Sequence, residues 1–399
     1  MPSDMPTPLQ ISARAAAISP SATLALAATA KAMAAEGLDV VNMAVGEPDF
    51  DAPAAARNAA HAAIDSGKVK YTPAGGLMSL RAAAADCLKR ERGTPYAAEN
   101  VVICHSAKHA LSHALLALVG PGDEVLLLAP VWGSYDEQVL FTGARPVQVA
   151  PLPDGSCAPD LAAIRAAVGP KTRGIMLNTP SNPSGYVWTE EEIRTLCEIV
   201  IEHDLWLISD EIYGRLVFDG ARHVSPAAHS QEMADRTILV DGASKVFAMT
   251  GYRMGFLAAA PHVTKAVADI QSQISGCPNY ISQLAYQACL EEDPAEVADM
   301  IAEFDRRRLL IGAGLDRLGL KGPKPRGAFY AFPDVSPWFD DRGADGLAKD
   351  LLESKALATV PGTVFGAPNH IRLSYALSEE RLTEALTRLG DFLGTRPRT

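Results

Sequence analysis

Between Asp241 and Gly255 the chain carries one lysine, Lys245, just past a short apolar run at residues 237–240. Its neighbours are small or apolar, and Arg253 follows eight residues later. Partial burial disfavours an ammonium, lowers its pKa and leaves a neutral, nucleophilic amine. Such amines form Schiff bases with carbonyl compounds, pyridoxal phosphate being the usual one. A lysine in a surface loop is the ordinary alternative, and the segment alone leaves both readings open.

Four other segments with chemical potential follow apolar runs or lie within one. His105-Ser106-Ala107-Lys108 comes where a strand gives way to a helix. Free N–H groups at a helix start make a phosphate site, and Lys108 adds charge; a plain strand–helix turn is the other reading. Asn178 to Gly185 contains two prolines, Pro180 and Pro183, and Gly185, which demand a rigid turn able to hold the Asn182 amide against a ligand, with a cis bond before Pro183 as one option. Asp210 ends a strand with Tyr213 three residues on. That pair suits an acid against a ring nitrogen and a hydroxyl against a ring oxygen, unless Asp210 simply caps a following helix. Arg372 sits inside an apolar strand. Burying it demands a carboxylate, either a substrate's or a structural partner's. His105, His109 and His113 repeat every four residues without an accompanying acid or thiolate, so they read as packing or helix-surface residues rather than a metal face.

These segments need elements to position them. Apolar runs at 101–104, 124–128, 146–149, 174–177, 206–209, 237–240 and 255–258 alternate with helical patterns at 108–118, 135–141, 160–167 and 190–202. Such alternation predicts an α/β fold with a mostly parallel sheet covered by helices on both faces, and ligands bound beyond the strands' carboxyl ends. A helical region at 263–317, short strands at 329–332 and 370–374, and helices at 21–36 and 378–393 complete the chain. They imply a large domain over 50–290 and a smaller α+β domain assembled from 1–49 and 291–399. The 399 residues, 48% hydrophobic and 21% charged with net charge −11, describe a soluble protein and argue against nucleic acid as partner. The mixed-sign run 303–308 reads as a solvated helix face. Six cysteines without a C-x-x-C pair read as buried thiols of a reducing compartment. The first ten residues lack the pattern of a signal peptide, and the longest apolar runs are too short for a membrane span, so a cytoplasmic location is expected.

Together the motifs resemble the class I/II pyridoxal-phosphate aminotransferases, the aspartate aminotransferase-like family, over about residues 19–393. The resemblance rests on Gly46-Glu47-Pro48-Asp49-Phe50, Tyr71-Thr72-Pro73-Ala74-Gly75-Gly76, Pro130-Val131-Trp132, Asn182-Pro183-Ser184-Gly185, Asp210-Glu211-Ile212-Tyr213, Ser244-Lys245, Arg253 and Arg372, in the family's order. It implies pyridoxal phosphate held by Lys245, which also shuttles the proton. Asp210 would meet the pyridine nitrogen, Tyr213 and Asn182 the phenolic oxygen, and Trp132 the ring face. The phosphate would meet Ser106, Ala107, Lys108, Ser244 and Arg253, with Tyr71 reaching it from the second subunit of a homodimer. The substrate carboxylate would meet Arg372, aided by Gly46, Trp132 and Asn182.

The chain departs from the family pattern in places. Gly242 stands where some members have a phosphate-binding serine, and Ala107 where glycine is common. No arginine for a distal carboxylate is visible in 271–280. Ser21, Thr23 and Lys108 instead match a bacterial subgroup that handles acidic side chains and includes aspartate and prephenate aminotransferases, although Ser19 replaces a lysine frequent there. The resulting expectation is a ping-pong, Schiff-base aminotransferase moving an amino group from an L-amino acid, aspartate first, to 2-oxoglutarate. Aromatic, alanine or prephenate/arogenate specificity, and β-elimination on the same cofactor, are the alternatives. A nicotinamide dehydrogenase is excluded because no G-x-G-x-x-G occurs.

Overall fold

The computed structural model describes residues 9–20 and 22–398. Twelve strands occur among them. They are β1 Val41–Asn42, β2 Val101–Cys104, β3 Glu124–Leu128, β4 Arg145–Val149, β5 Thr172–Asn178, β6 Trp206–Asp210, β7 Thr237–Gly242, β8 Gly255–Ala258, β9 Tyr330–Ala331, β10 Leu357–Ala358, β11 Val360–Pro361 and β12 Ile371–Ser374. β2 to β8 form one seven-stranded sheet in the order β2-β8-β7-β6-β5-β3-β4. Its strands are apolar almost throughout because helices cover both faces. The amphipathic helix Glu190–Glu202 is one of these. Thr189 and Glu192 close a capping box at its start, and it buries Ile193, Leu196, Cys197, Ile199 and Val200.

The sheet is parallel except at β8, which runs antiparallel to both β2 and β7. The connection 243–254 stays at the carboxyl end of β7 instead of crossing back over the sheet. Gly255, the first residue of β8, therefore lies beside Gly242 and Cys104, the last residues of β7 and β2. Lys245 and Arg253 are thereby kept at the edge of the sheet where the other strands end.

Two small sheets stand apart from the large one, β1 with β10 and β11-β12-β9. The expected helical region is three helices, Pro261–Ile274, Tyr280–Glu292 and Ala295–Arg317. Gly276 at positive φ and Pro278 interrupt the first junction, and Asp293 in the left-handed region with Pro294 the second. Two expectations need correction here. In the run 303–308, Arg307 is not solvated: it is buried between Asp49 and Glu303, at 2.7 and 2.8 Å. Of the six cysteines, Cys157 and Cys277 are only partly buried. No helix among the described residues is long and apolar enough to cross a membrane.

Gly174 of β5 is paired with Trp206 of β6, and a Cβ there would come within 2.1 Å of the indole ring. Gly174→Ala is expected to destabilise the protein by about 1–3 kcal/mol through overpacking. A denaturant midpoint indistinguishable from wild type would contradict this.

Candidate active site

The carboxyl ends of β2, β5, β6 and β7, the start of the helix Ala107–Leu118 and the strand β12 open onto a cavity of about 480 Å³. It brings together Lys245, Asp210, Tyr213, Asn182, Ser106, Ala107, Lys108, Trp132, Ser244, Arg253, Gly46, Thr23 and Arg372, all of which the sequence singles out. Ser21 lies outside the described residues. Tyr71 is 97% exposed and does not line the cavity of its own chain.

Lys245 follows β7 in a short helix, Ala243–Val246. Part of the side chain is accessible from the cavity, but its amine is desolvated and donates to the Gly46 carbonyl. Burial brings its pKa down to about 8; Arg372 and Arg253 act in the same sense, against Glu47 and Asp210. Glu47 also lines the cavity and accepts from the Thr250 hydroxyl.

Asp210 is the last residue of β6 and is buried. It caps no helix: its Oδ1 accepts the Ile212 N–H at 3.2 Å, and its Oδ2 accepts the Tyr135 hydroxyl at 2.7 Å. Burial raises its carboxyl pKa to about 6 despite these two donors. Tyr213 is buried with its hydroxyl 2.9 Å from that of Tyr330. Gly46 is required by the same tyrosine, since a Cβ at 46 would meet the Tyr330 hydroxyl at 2.7 Å.

Ser106 has φ 106°, and the helix it precedes has no side-chain cap, so its first-turn N–H groups are free for a ligand. Gly255 allows β8 to approach this helix start: a Cβ there would lie 2.3 Å from the Ala107 nitrogen. Gly242 is explained by the same crowding, for its Cβ would meet the Met254 carbonyl at 2.8 Å. Lys108 places its ammonium 4.4 Å from the Trp132 ring centre and 3.3 Å from the Ser134 hydroxyl. His105, His109 and His113 pack ring against ring, the first pair edge-to-face and the second tilted, with centroids 5.1 and 3.8 Å apart.

The turn after β5 is rigid, with cis bonds before Pro180 and Pro183. It fixes Asn182 so that its Oδ1 accepts from Arg372 Nη1 at 3.0 Å. Arg372 is 1% exposed, and its Nη2 donates to the Ala44 carbonyl at 2.7 Å. Its Nε has no partner, and no described carboxylate pairs with it. The structural ion pair considered from the sequence is therefore absent among the described residues. A buried guanidinium without a counter-ion can accept an incoming carboxylate.

Beside this cavity lies a second of about 650 Å³ that shares Thr23, Lys108 and Trp132 with it. The N-terminal segment closes one side, where the Ser19 N–H donates to Glu137 Oε2 at 3.0 Å.

Sequence reasoning missed Tyr135, Tyr330 and Glu47. Tyr135 had one signal, its place three residues after Trp132 at a helix start. Tyr330 had none beyond an aromatic strand. Glu47 was quoted within a motif, but nothing local gave it a neighbour.

The family model described as aminotransferase class I and II matches residues 38–389. The chain is 41% identical over 386 residues to a probable aspartate/prephenate aminotransferase of Thermus aquaticus, covering 96% of this chain and 99% of that protein. It is 37% identical to the aspartate aminotransferase of Bacillus subtilis, over 96% of this chain and 99% of the relative. The structure of the Thermus thermophilus aspartate aminotransferase with maleate superposes with a TM-score of 0.92 at 40% identity, over 96% of this chain and all of that one.

In protein freed of ligand, the Lys245 amine has a folded pKa of about 8 against an ordinary 10.5. The unfolded chain thus binds the extra proton between those values, and stability rises with pH through that window. Below about pH 8 the penalty is complete. Lys245→Met should therefore be more stable than wild type at pH 7, on the order of 2–3 kcal/mol, and lose that advantage towards pH 10.5. Denaturant melts at both pH values check this; an advantage independent of pH would contradict it.

Proposed function

The chain belongs to the aminotransferase class I and II family, and from that premise we propose that the cavity around Lys245 is where it transfers an amino group from aspartate to 2-oxoglutarate. One observation carries the reading: a desolvated, nucleophilic amine shares its cavity with a buried guanidinium that has no carboxylate partner among the described residues.

The residues fit pyridoxal phosphate. The uncapped helix start at Ser106, Ala107 and Lys108 with Ser244 and Arg253 suits a phosphate, and buried Asp210 suits a protonated ring nitrogen. When bound, this cofactor supplies the carbonyl that accepts the amino group and a ring that withdraws electrons from the substrate α-carbon. Arg372 and the Asn182 amide orient the substrate α-carboxylate, with the backbone at Gly46 beside it. Lys245, increasingly neutral above about pH 8, would hold the cofactor and would afterwards carry a proton from the substrate α-carbon on its Nζ. Asp210 retains its charge against the ring nitrogen, and Tyr135 fixes its rotamer from the other oxygen. Tyr213 and Asn182 would present their polar atoms to the ring oxygen, and Trp132 would cover the ring face. Closing the site around these groups excludes water and strengthens each contact.

Aspartate is favoured because Lys108 and Thr23 line the side-chain end of the cavity. The Thermus thermophilus relative was crystallised with maleate, also a four-carbon dicarboxylate. The adjoining chamber of about 650 Å³ favours a second reading, a bulkier ring-bearing dicarboxylate such as prephenate, after which the Thermus aquaticus relative is named.

The enzyme works as a homodimer in which Tyr71 of one protomer reaches the phosphate site of its partner. Tyr71 and Ile274 are both exposed, and the segments carrying them are tied by the Thr72 N–H on Cys277 Sγ at 3.3 Å. Residues 50–290 form the large domain, with 1–49 and 291–399 forming the small one.

Adding single amino acids without an acceptor to the loaded enzyme should convert its visible absorption most readily with aspartate. Arg372→Lys should raise the KM for aspartate about 10- to 100-fold, the worth of a bidentate charged contact. Lys108→Ala should lose the preference for aspartate over alanine; a variant that kept it would remove Lys108 from the specificity argument.

A further inference from the structure

Behind the cavity lies a buried ion cluster that touches none of its surface. Arg92, the last residue of the helix Met78–Arg92, has a side chain only 5% exposed. Its Nη1 donates to Glu211 Oε2 at 2.8 Å, and its Nη2 donates to Asp241 Oδ2. Glu211 is wholly buried, and each of its oxygens is saturated. Oε1 accepts the hydroxyls of Ser209 and Ser225 at 2.9 and 2.7 Å, while Oε2 also contacts His223 Nε2 at 2.7 Å. Asp241 Oδ1 accepts the Gly242 N–H at 2.6 Å. Gly214 leaves space for the guanidinium, since a Cβ there would lie 2.9 Å from Arg92 Nη2.

The position of this cluster is informative. β6 and β7 are paired in register as far as Asp210 and Val240, and one more bond, from the Glu211 N–H to the Val240 carbonyl, follows. There the ladder between the two strands stops. Asp210 precedes Glu211, with alternate side chains facing opposite ways, and Lys245 comes four residues after Asp241. Where backbone pairing ends, one planar fork holds the carboxylate next to Asp210 and the carboxylate leading to Lys245. Two rigid N–H donors on one guanidinium set a fixed spacing, which an ammonium does not.

We propose that Arg92, acting through Glu211 and Asp241, is a positioning residue that sets the placement of Asp210 relative to Lys245. The inference rests on the reading of those two residues given above. A misplacement of about 1 Å at reacting groups lowers the rate about 100-fold, so the clamp has direct consequences for turnover without touching substrate.

Two substitutions test it. Arg92→Lys keeps the charge and loses the fork; Asp241→Asn is isosteric, keeps the acceptor for the Gly242 N–H and loses one ion pair. Each is compared with wild type for thermal midpoint, pyridoxal phosphate dissociation constant, kcat and KM for aspartate, and the pH midpoint of the bound cofactor's visible band. The expected result for Arg92→Lys is a kcat lower by about 10-fold or more with aspartate KM within about twofold, cofactor binding weakened about 10-fold, and a displaced band midpoint. Asp241→Asn should move the same quantities in the same direction by less. Folded variants with a wild-type band midpoint, cofactor affinity and kcat would overturn the proposal and leave the cluster a purely structural ion pair. Should Arg92→Lys not fold, Asp241→Asn decides alone by the same criteria. Borohydride reduction of the wild-type enzyme serves as the control: cofactor fixed on Lys245 upholds the site reading whatever the clamp variants do, and its absence there would sink both.

Discussion

Lys245 and Asp210 border one cavity with their titrating ends buried in protein, and desolvation moves them in opposite senses. The amine falls to about 8 and the carboxyl rises to about 6, each towards its neutral form. Neither shift needs an unusual neighbour. Both follow from placing charge-bearing groups where the strands of a doubly covered sheet end and protein surrounds most of each side chain. The rest of the architecture is what makes that placement sustainable. Asp210 keeps two donors, Tyr135 and the Ile212 N–H, and Lys245 keeps one acceptor, the Gly46 carbonyl. The charged ends of these two side chains are each held by a partner, so desolvation alters basicity without expelling the groups.

The reversal of β8 is the topological device behind this arrangement. A crossover helix after β7 would have carried the chain away from the strand ends. The connection instead curls within the carboxyl edge, and Gly255 starts the return strand against Ala107. Lysine, arginine and an uncapped helix start thus gather within one small volume. Glycine is needed there because backbone meets backbone, which leaves no room for a Cβ at 242 or 255.

Arg372 connects this volume with the small sheet β11-β12-β9. Its two hydrogen bonds go to Asn182, on the large sheet's turn, and to Ala44, near β1. Tyr330 and Phe365 lie 4.5 and 5.2 Å from the guanidinium and shield it with aromatic surface. The arginine is thereby held in a fixed orientation, with no carboxylate paired to it among the described residues. The side chain proposed to meet the substrate acid is thus also one that links separate parts of the chain.

The sequence by itself determined the alternation of strands and helices, because burial on both faces leaves a readable apolar run at every central strand. It also determined the reactive types at the strand ends: Lys245 after one run, Asp210 closing another, Arg372 within a third. Chemistry of that kind is a property of residue type and local surroundings, and both are written in the chain. What the tertiary structure decided were the partners. Tyr135 reaches Asp210 across 75 residues, Gly46 meets Lys245 across 199, and Arg92 meets Asp241 across 149. Arg92 looks in sequence like one more charge at the end of a basic helix, and Arg307 like one more solvated cation; both are buried. The absence of a counter-ion for Arg372 among the described residues is likewise a fact about every one of them folded around it. Periodicity records which face of an element is buried, but not what it is buried against, and that depends on contacts between segments no local pattern links.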